Sequence, residues 1–526
     1  ARTTLEEDAG SSLKPLPKTF PCATALYITH RRERKSEHQM WNRCQVFSSF
    51  FFRYPISSWL IRLRASCECF QQRHPIFLCG LYWLAGITSR GHPECSALIL
   101  IFLGMFLPRN PKQWLPLASA WIISLMLTPA PFLHDGPISG TFVIHHAGGQ
   151  GTYYGEALCI QTPCGKRAHH LSCQILSESR LELKKVYELE GTLHHTSQIV
   201  FKSNACYKEI PRSRFYIMKE KCRESSCHFL NHRFPSSEVG PFASSLLLGT
   251  PLPQNLRDLF RQKGLSHLFA ISGWHFSLCA TTLWMLCALL PLKIKKILSF
   301  IVLTSLACIF PMSLSVWRSW ISVTLLCFSW CFSGSCSGLN RLGAGFILCS
   351  IFFSPFSPTF VLSFLATLGI LLFFPKIFSF LYTPWTQFLS PFWLYPIRYL
   401  AMTLAISLSA QLFIVLPIMQ YFGSLPLEGL LYNLIVPFTI LPIIVFLIAT
   451  IILPCCSPIT EALIQGFLSH PWLHNPNILK TLSFAPVPPW MLTLASLILF
   501  FIGILRTNVS PYASISATSY RFIETL

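Results

Sequence analysis

Acidic side chains are nearly missing from the second half of this chain. From Leu265 to Arg506 there are two, Glu428 and Glu461, against nine Lys or Arg, whereas residues 131–264 hold 11 acids and 16 bases. A water-exposed fold built from 265–506 is excluded, because soluble domains carry about a quarter of their residues as charges. The whole chain of 526 residues is 12% charged and 52% hydrophobic. Nor is there a polybasic tail. The net charge of +20 is spread as +6 over residues 1–74, +2 over 75–130, +5 over 131–264 and +7 over 265–506, and cytoplasmic loops of membrane proteins hold such an excess anyway. Charge alone therefore does not establish a polyanionic partner.

Catalytic and metal signatures are also scarce. No HExxH and no HxHxDH occurs, which argues against a zinc hydrolase or a metal-dependent nuclease. The 21 cysteines form no framework: Cys279, Cys287, Cys308 and Cys327 lie in apolar runs, where cysteine packs as a small hydrophobe. Cys159, Cys164, Cys173, Cys206, Cys222 and Cys227 fall in the hydrophilic region, and an oxidising compartment there would permit one or two disulfides. Three His-His doublets (His145 and His146, His169 and His170, His194 and His195) and the group Cys222, Cys227, His228 and His232 match no ordinary zinc spacing, so no metal and no cofactor is expected.

What the chain does have is apolar runs long enough to cross ~30 Å of hydrocarbon as helices. The expected fold is an α-helical polytopic membrane protein of about 11 transmembrane helices. Residues 1–74 read as a basic leader, cytoplasmic or disordered, with RRERK at Arg31 to Lys35 and no secretory cleavage signal; a translated upstream extension is an equal reading. Residues 75–131 hold three helices, Pro75 to Ser89, Ser96 to Leu107 and Trp114 to Pro131, the first two short enough for a tilted hairpin. Basic residues placed inside put the next segment outside.

That segment, 132–235, changes period to short alternating runs: ISGTFVIHHA, GTYYGEALCIQ, LSCQILS, KKVYELEGTLHH and QIVFKS. About five strands in so short a length suit a small OB-like barrel, and an unrelated small β-domain is the alternative. Then comes FASSLLLGT, a helix, followed by the amphipathic PQNLRDLFRQKG, which is expected at the membrane interface. The body from 239 to 506 carries further apolar helices, and 507–526 is a tail.

Polar groups inside that body draw attention because they are costly at membrane depth. In HLFAISGWHF stand His267, Ser272, Gly273 and His275; elsewhere stand Arg318, Ser363, Gln411, Asn433 and Pro437. Gly273 and the prolines let the backbone leave the helix, which is tolerated only where it lines a cavity. A pore lining is one reading. The others are a helix start at the interface with His267 among headgroups, interhelical glue, or a Ser272 nucleophile with His275 or His267 as base.

The stretch LLLGTPLPQNLRDLFRQKGLSHLFAISGWHFSL, with Arg318, PFSPTFVLSFLATLGIL, Ala410, Gln411, Pro417, Phe422, Gly423 and GLLYNLIVPF following in order, resembles the ComEC family of competence proteins. The likeness covers roughly residues 76–506, with Trp274 and Ser277 departing from the signature. It implies a multi-pass protein of the bacterial inner membrane that passes single-stranded DNA inward during transformation, in contact with membrane lipids. The implied partners are a competence DNA receptor and a cytoplasmic ATPase or helicase, with homo-oligomerisation left open. It further implies an OB-like domain receiving the strand, for which Lys166, Arg167, Lys184, Lys185 and Lys202 are candidate phosphate contacts and Tyr153, Tyr154 and Tyr187 candidate stacking residues. The metallo-β-lactamase-like domain that ends many relatives is not expected here, nor is enzymatic activity. A transporter of a lipid or other amphiphile is the second reading, an intramembrane hydrolase the third.

Overall fold

The computed structural model describes residues 55–89, 91–108, 110–127, 136–148, 151–161, 167–183, 185–195, 199–211, 214–234, 236–250, 252–265, 276, 290–310, 313–331, 336–474, 481–483 and 487–507. The chain forms two compact units, residues 1–65 and 66–526; the described part of the first is the opening of helix α1 (Pro55–Arg73).

Proline opens both α2 (Pro75–Thr88) and α3 (Pro93–Gly104), where its missing N–H leaves no bond unmade. With α4 (Trp114–Leu127) they are 14, 12 and 14 residues long, or roughly 20 Å each. The first turn of α2 has backbone donors with no intrahelical partner. Asn340, from α10 (Gly338–Phe352), answers two of them: its Oδ1 accepts from the N–H of Ile76 and of Phe77, each at 3.2 Å. Its Nδ2 donates to the Arg73 carbonyl at 3.0 Å. Beside it His74 Nδ1 and Ser337 Oγ are 2.8 Å apart, and Trp83 Nε1 donates to Ser350 Oγ at 2.8 Å.

The hydrophilic segment folds as a closed barrel in the order β1-β2-β3-β5-β4, antiparallel except for β3 beside β5. The strands are β1 (Gly136–Ala147), β2 (Thr152–Gln161), β3 (Arg167–Leu176), β4 (Val186–His195) and β5 (Ile199–Ile210). They lie where the alternating runs place them, because one side of each must fill the interior. Phe142, Ile144, Ala157, Ile160, Ile175, Leu189, Leu193 and Phe201 do so, with the rings of Phe142 and Phe201 stacked at 4.5 Å.

A 20-residue helix, α5 (Arg214–Arg233), follows the barrel; the sequence reading did not anticipate it. Leu230 at its end and Phe234 join a core with α6 (Val239–Leu248) and α7 (Gln254–Gln262). The apolar face of α7, Leu256 and Phe260, is buried in that core, so this helix packs on protein rather than only on an interface. The chain continues through α8 (Leu292–Ile309), α9 (Leu314–Cys331), α10, α11 (Pro358–Tyr382) and α12 (Pro391–Phe422). A short ribbon pairs β6 (Ser424–Pro426) with β7 (Thr481–Ser483), and α13 (Leu427–Ile452), α14 (Ser457–Leu468), α15 (Pro471–His474) and α16 (Pro489–Thr507) complete the fold.

Of the roughly eleven crossings expected, two described helices are long and apolar enough to span a membrane: 358–387, at 30 residues including a terminal turn, and 392–422, at 31. Eight further apolar stretches of helix, each of 10–17 residues, stand among the described residues.

The two long helices are antiparallel neighbours, and small residues let them close. A Cβ on Gly369 would lie 2.3 Å from the Ser409 carbonyl oxygen, while Ala401 and Ala405 sit under Phe374 and Phe378. Substituting Gly369→Ala therefore forces the pair apart, and thermal unfolding in detergent should show a loss of about 1–3 kcal/mol. A second expectation concerns His74. Burial, helped by the Arg73 charge, lowers its pKa from the usual 6.5 to about 4. The folded state thus holds fewer protons than the unfolded one between those values, so its stability is complete above about pH 6.5 and falls as pH drops toward 4. His74→Gln should flatten the unfolding midpoint across that window relative to the unmodified chain.

Candidate functional site

The signature residues His267, Ser272, Gly273 and His275 lie outside the described residues, but the two ends of their segment are held firmly. Gly264, at φ +69°, adopts the left-handed turn that ends α7. Leu265 follows, wholly buried, with its N–H donating to the Phe260 carbonyl at 2.8 Å. Its core is shared with Val436, Ile440 and Ile443 of α13. At the other end Phe276, also wholly buried, packs with Leu303 and Phe310 from the α8 side and Val316 of α9. The signature segment is thus anchored in two different helical cores.

Helix α13 carries Asn433 and Pro437, whose side chains lie outside the described set. Its approach to the signature is nevertheless marked by side chains that the sequence reading passed over. Lys263, two residues before Leu265, is 3% exposed and holds its Nζ 5.6 Å from the Tyr432 ring centroid. Tyr432 immediately precedes Asn433 and stands 4.8 Å from the Trp472 ring, which packs on Phe467 at 5.7 Å. A cation against an aromatic face therefore joins the entry to the signature with the YN step of α13. Lys263 in RQKGL and Tyr432 in LLYN sat inside the quoted motifs, but nothing in one chain says that they touch.

Arg318 and Ser363 are brought together. The Arg318 Nε donates to Ser363 Oγ at 3.0 Å, linking α9 to α11, and the arginine stem lies beside Gly345 of α10. Among the described residues no carboxylate pairs with Arg318. The Gln411 Nε2 bond to Ser407 Oγ, at 3.5 Å, stays within its own helix. Of these positions, Arg318 and Ser363 are the pair shown joined across helices.

On the barrel the candidates divide. Tyr154 is 44% exposed, and Lys202 is exposed. Tyr153 and Tyr187 are not available for stacking: both are buried, and their hydroxyls accept the N–H of Leu181 at 3.1 Å and of Glu182 at 3.0 Å. They pin the loop between β3 and β4. Lys185 is engaged as well, between Glu209 at 2.9 Å and Glu182 at 3.0 Å, and hydrogen bonds to these two carboxylates raise its pKa. Arg167 starts β3 with its side chain outside the described set; Lys166 and Lys184 are outside it altogether.

No group of three His, Cys, Asp or Glu able to hold a metal is present among the described residues. His228 and His232, one turn apart on α5, have ring centroids 6.0 Å apart. Cys159 and Cys222 are free thiols.

Fold and motifs together define a mostly helical protein with long apolar helices and a small inserted β-barrel. A family model described as "Competence protein" matches residues 246–509, and the chain belongs to that family. No curated protein and no solved structure matches the chain.

The Arg318 bond is the site feature most open to test. Ser363→Ala removes the acceptor of a charged donor, worth about 1.5–3 kcal/mol. The unfolding midpoint in detergent should fall accordingly, and Ser363→Thr, which keeps a hydroxyl, should restore most of it.

Proposed function

We propose that this protein is a multi-pass inner-membrane conduit for single-stranded DNA during natural transformation, without enzymatic activity of its own. Family membership supports the role in competence, and the two long apolar helices support a place in the membrane. The strand order β1-β2-β3-β5-β4, with β3 and β5 parallel, supports an OB-like barrel, a fold that receives single strands on the face around β2 and β3.

One observation carries the reading furthest. Tyr154 on β2 pairs with Gln174 of β3, and Lys202 on β5 pairs with Leu176 of the same strand. Gln174 and Leu176 are two residues apart, so Tyr154 and Lys202 stand on one outer face on either side of β3. Two strand spacings across and one two-residue step along separate them by ~12 Å. An aromatic ring and an ammonium at that distance suit stacking of a base and contact with a phosphate of the same strand. A DNA receptor and a cytoplasmic ATPase or helicase would deliver and draw the strand.

Fluorescent oligonucleotide binding to the full chain in lipid nanodiscs tests the reading. Tyr154→Ala should weaken binding by about 1–3 kcal/mol. Lys202→Ala should reduce the slope of log affinity against log salt by about 0.7. Tyr187→Phe, a core change, should do neither. Uptake of labelled DNA should vanish in a strain lacking the protein and survive Ser272→Ala; normal uptake without the protein would end the conduit reading, and loss on Ser272→Ala would favour a hydrolase.

A further inference from the structure

The turn between α11 and α12 is built unlike a water-exposed connection. From Ile377 to Ile397 there is no charged residue, and Lys376 and Arg398 bracket the stretch. Within it Phe380 is 79% exposed, Phe388 81%, Phe392 78% and Tyr395 80%, with Trp385 and Trp393 about half exposed at 49% and 58%. Six large aromatic side chains left outside at one hairpin tip would be an aggregation hazard in water.

Several polar groups of the same turn already have partners within it. The N–H groups of Phe388 and Leu389 both donate to the Trp385 carbonyl, and those of Trp393 and Leu394 to the Ser390 carbonyl. Thr383 N–H donates to the Ser379 carbonyl, Thr386 Oγ1 donates to the Thr383 carbonyl at 2.7 Å, and Ser379 Oγ lies 3.1 Å from Thr383 Oγ1. A chain reversal that needs little hydration and presents Trp, Tyr and Phe is suited to the boundary between headgroups and hydrocarbon.

Length places it there. The 25 residues of α11 span about 37 Å, several ångströms more than a ~30 Å hydrocarbon layer, so one end of the hairpin must emerge. We infer that residues 383–395 form an interfacial foot, whose exposed aromatic side chains dock on lipid at the headgroup boundary and set the depth of the α11–α12 hairpin. This rests on the membrane reading above. A second copy of the chain is the competing occupant; direct continuity with the two membrane-length helices decides for lipid.

An environment-sensitive fluorescent side chain introduced at Phe388, in the full chain reconstituted in phosphatidylcholine and phosphatidylglycerol vesicles, tests the foot. Emission should be blue-shifted relative to the same label at Lys202. Lipids brominated near the glycerol should quench it at least about twofold more than lipids brominated near the chain ends. The label at Tyr395, across the turn, should give the same order. Emission as in water would overturn the inference, as would stronger quenching from the chain ends, which would mean that the turn lies within the hydrocarbon. A blue shift that ignores bromine and changes with the protein-to-lipid ratio would assign the surface to a second copy. Failure of the chain to co-float with vesicles would remove the membrane reading itself, a distinguishable result.

Discussion

Polar groups carried into an apolar bundle have to find partners within the protein, because neither hydrocarbon nor packed side chains can supply a hydrogen bond. That constraint accounts for many of the specific contacts between the helices. Asn340 closes two open donors and one acceptor where α2 begins. Ser350 accepts from Trp83, and Ser363 accepts from Arg318. The Thr450 and Thr460 hydroxyls stand 2.7 Å apart between α13 and α14. Each contact chooses a register between helices that apolar packing alone would leave loosely specified.

The same constraint shapes the region around the signature. Leu265 and Phe276, the described residues on either side of it, are buried in separate cores. Lys263 is the exception to apolar anchoring, and the face of Tyr432 offers its ammonium a partner next to Asn433. The residues leading into the signature and α13 therefore meet through one shared core and one cation on an aromatic ring.

The barrel illustrates how far periodicity reaches. Alternation located its five strands because one face of each must be apolar, yet it left undecided which tyrosine of the Tyr153–Tyr154 pair faces inward. Neighbouring residues on a strand point to opposite sides, and only closure of the barrel says which side is inside. Tyr187 was misjudged for the same kind of reason: a hydroxyl capping a loop looks, in one chain, like a surface group free for a ligand. Helix α5 escaped notice because its charges are mixed around all sides and it shows no apolar stripe.

Composition and motif order alone determined that the second half of the chain is too poor in charge for water, that a β-rich insert precedes it, and that the HLFAISGWHF region belongs to a competence-type protein, since these depend on side-chain chemistry and local period. Tertiary structure decided what distance in sequence conceals: Lys263 against Tyr432, Arg318 against Ser363, Tyr154 and Lys202 flanking one strand, and the aromatic turn left uncovered between α11 and α12. Burial and pairing are properties of surfaces that meet only after folding, so no reading of neighbours along the chain can supply them.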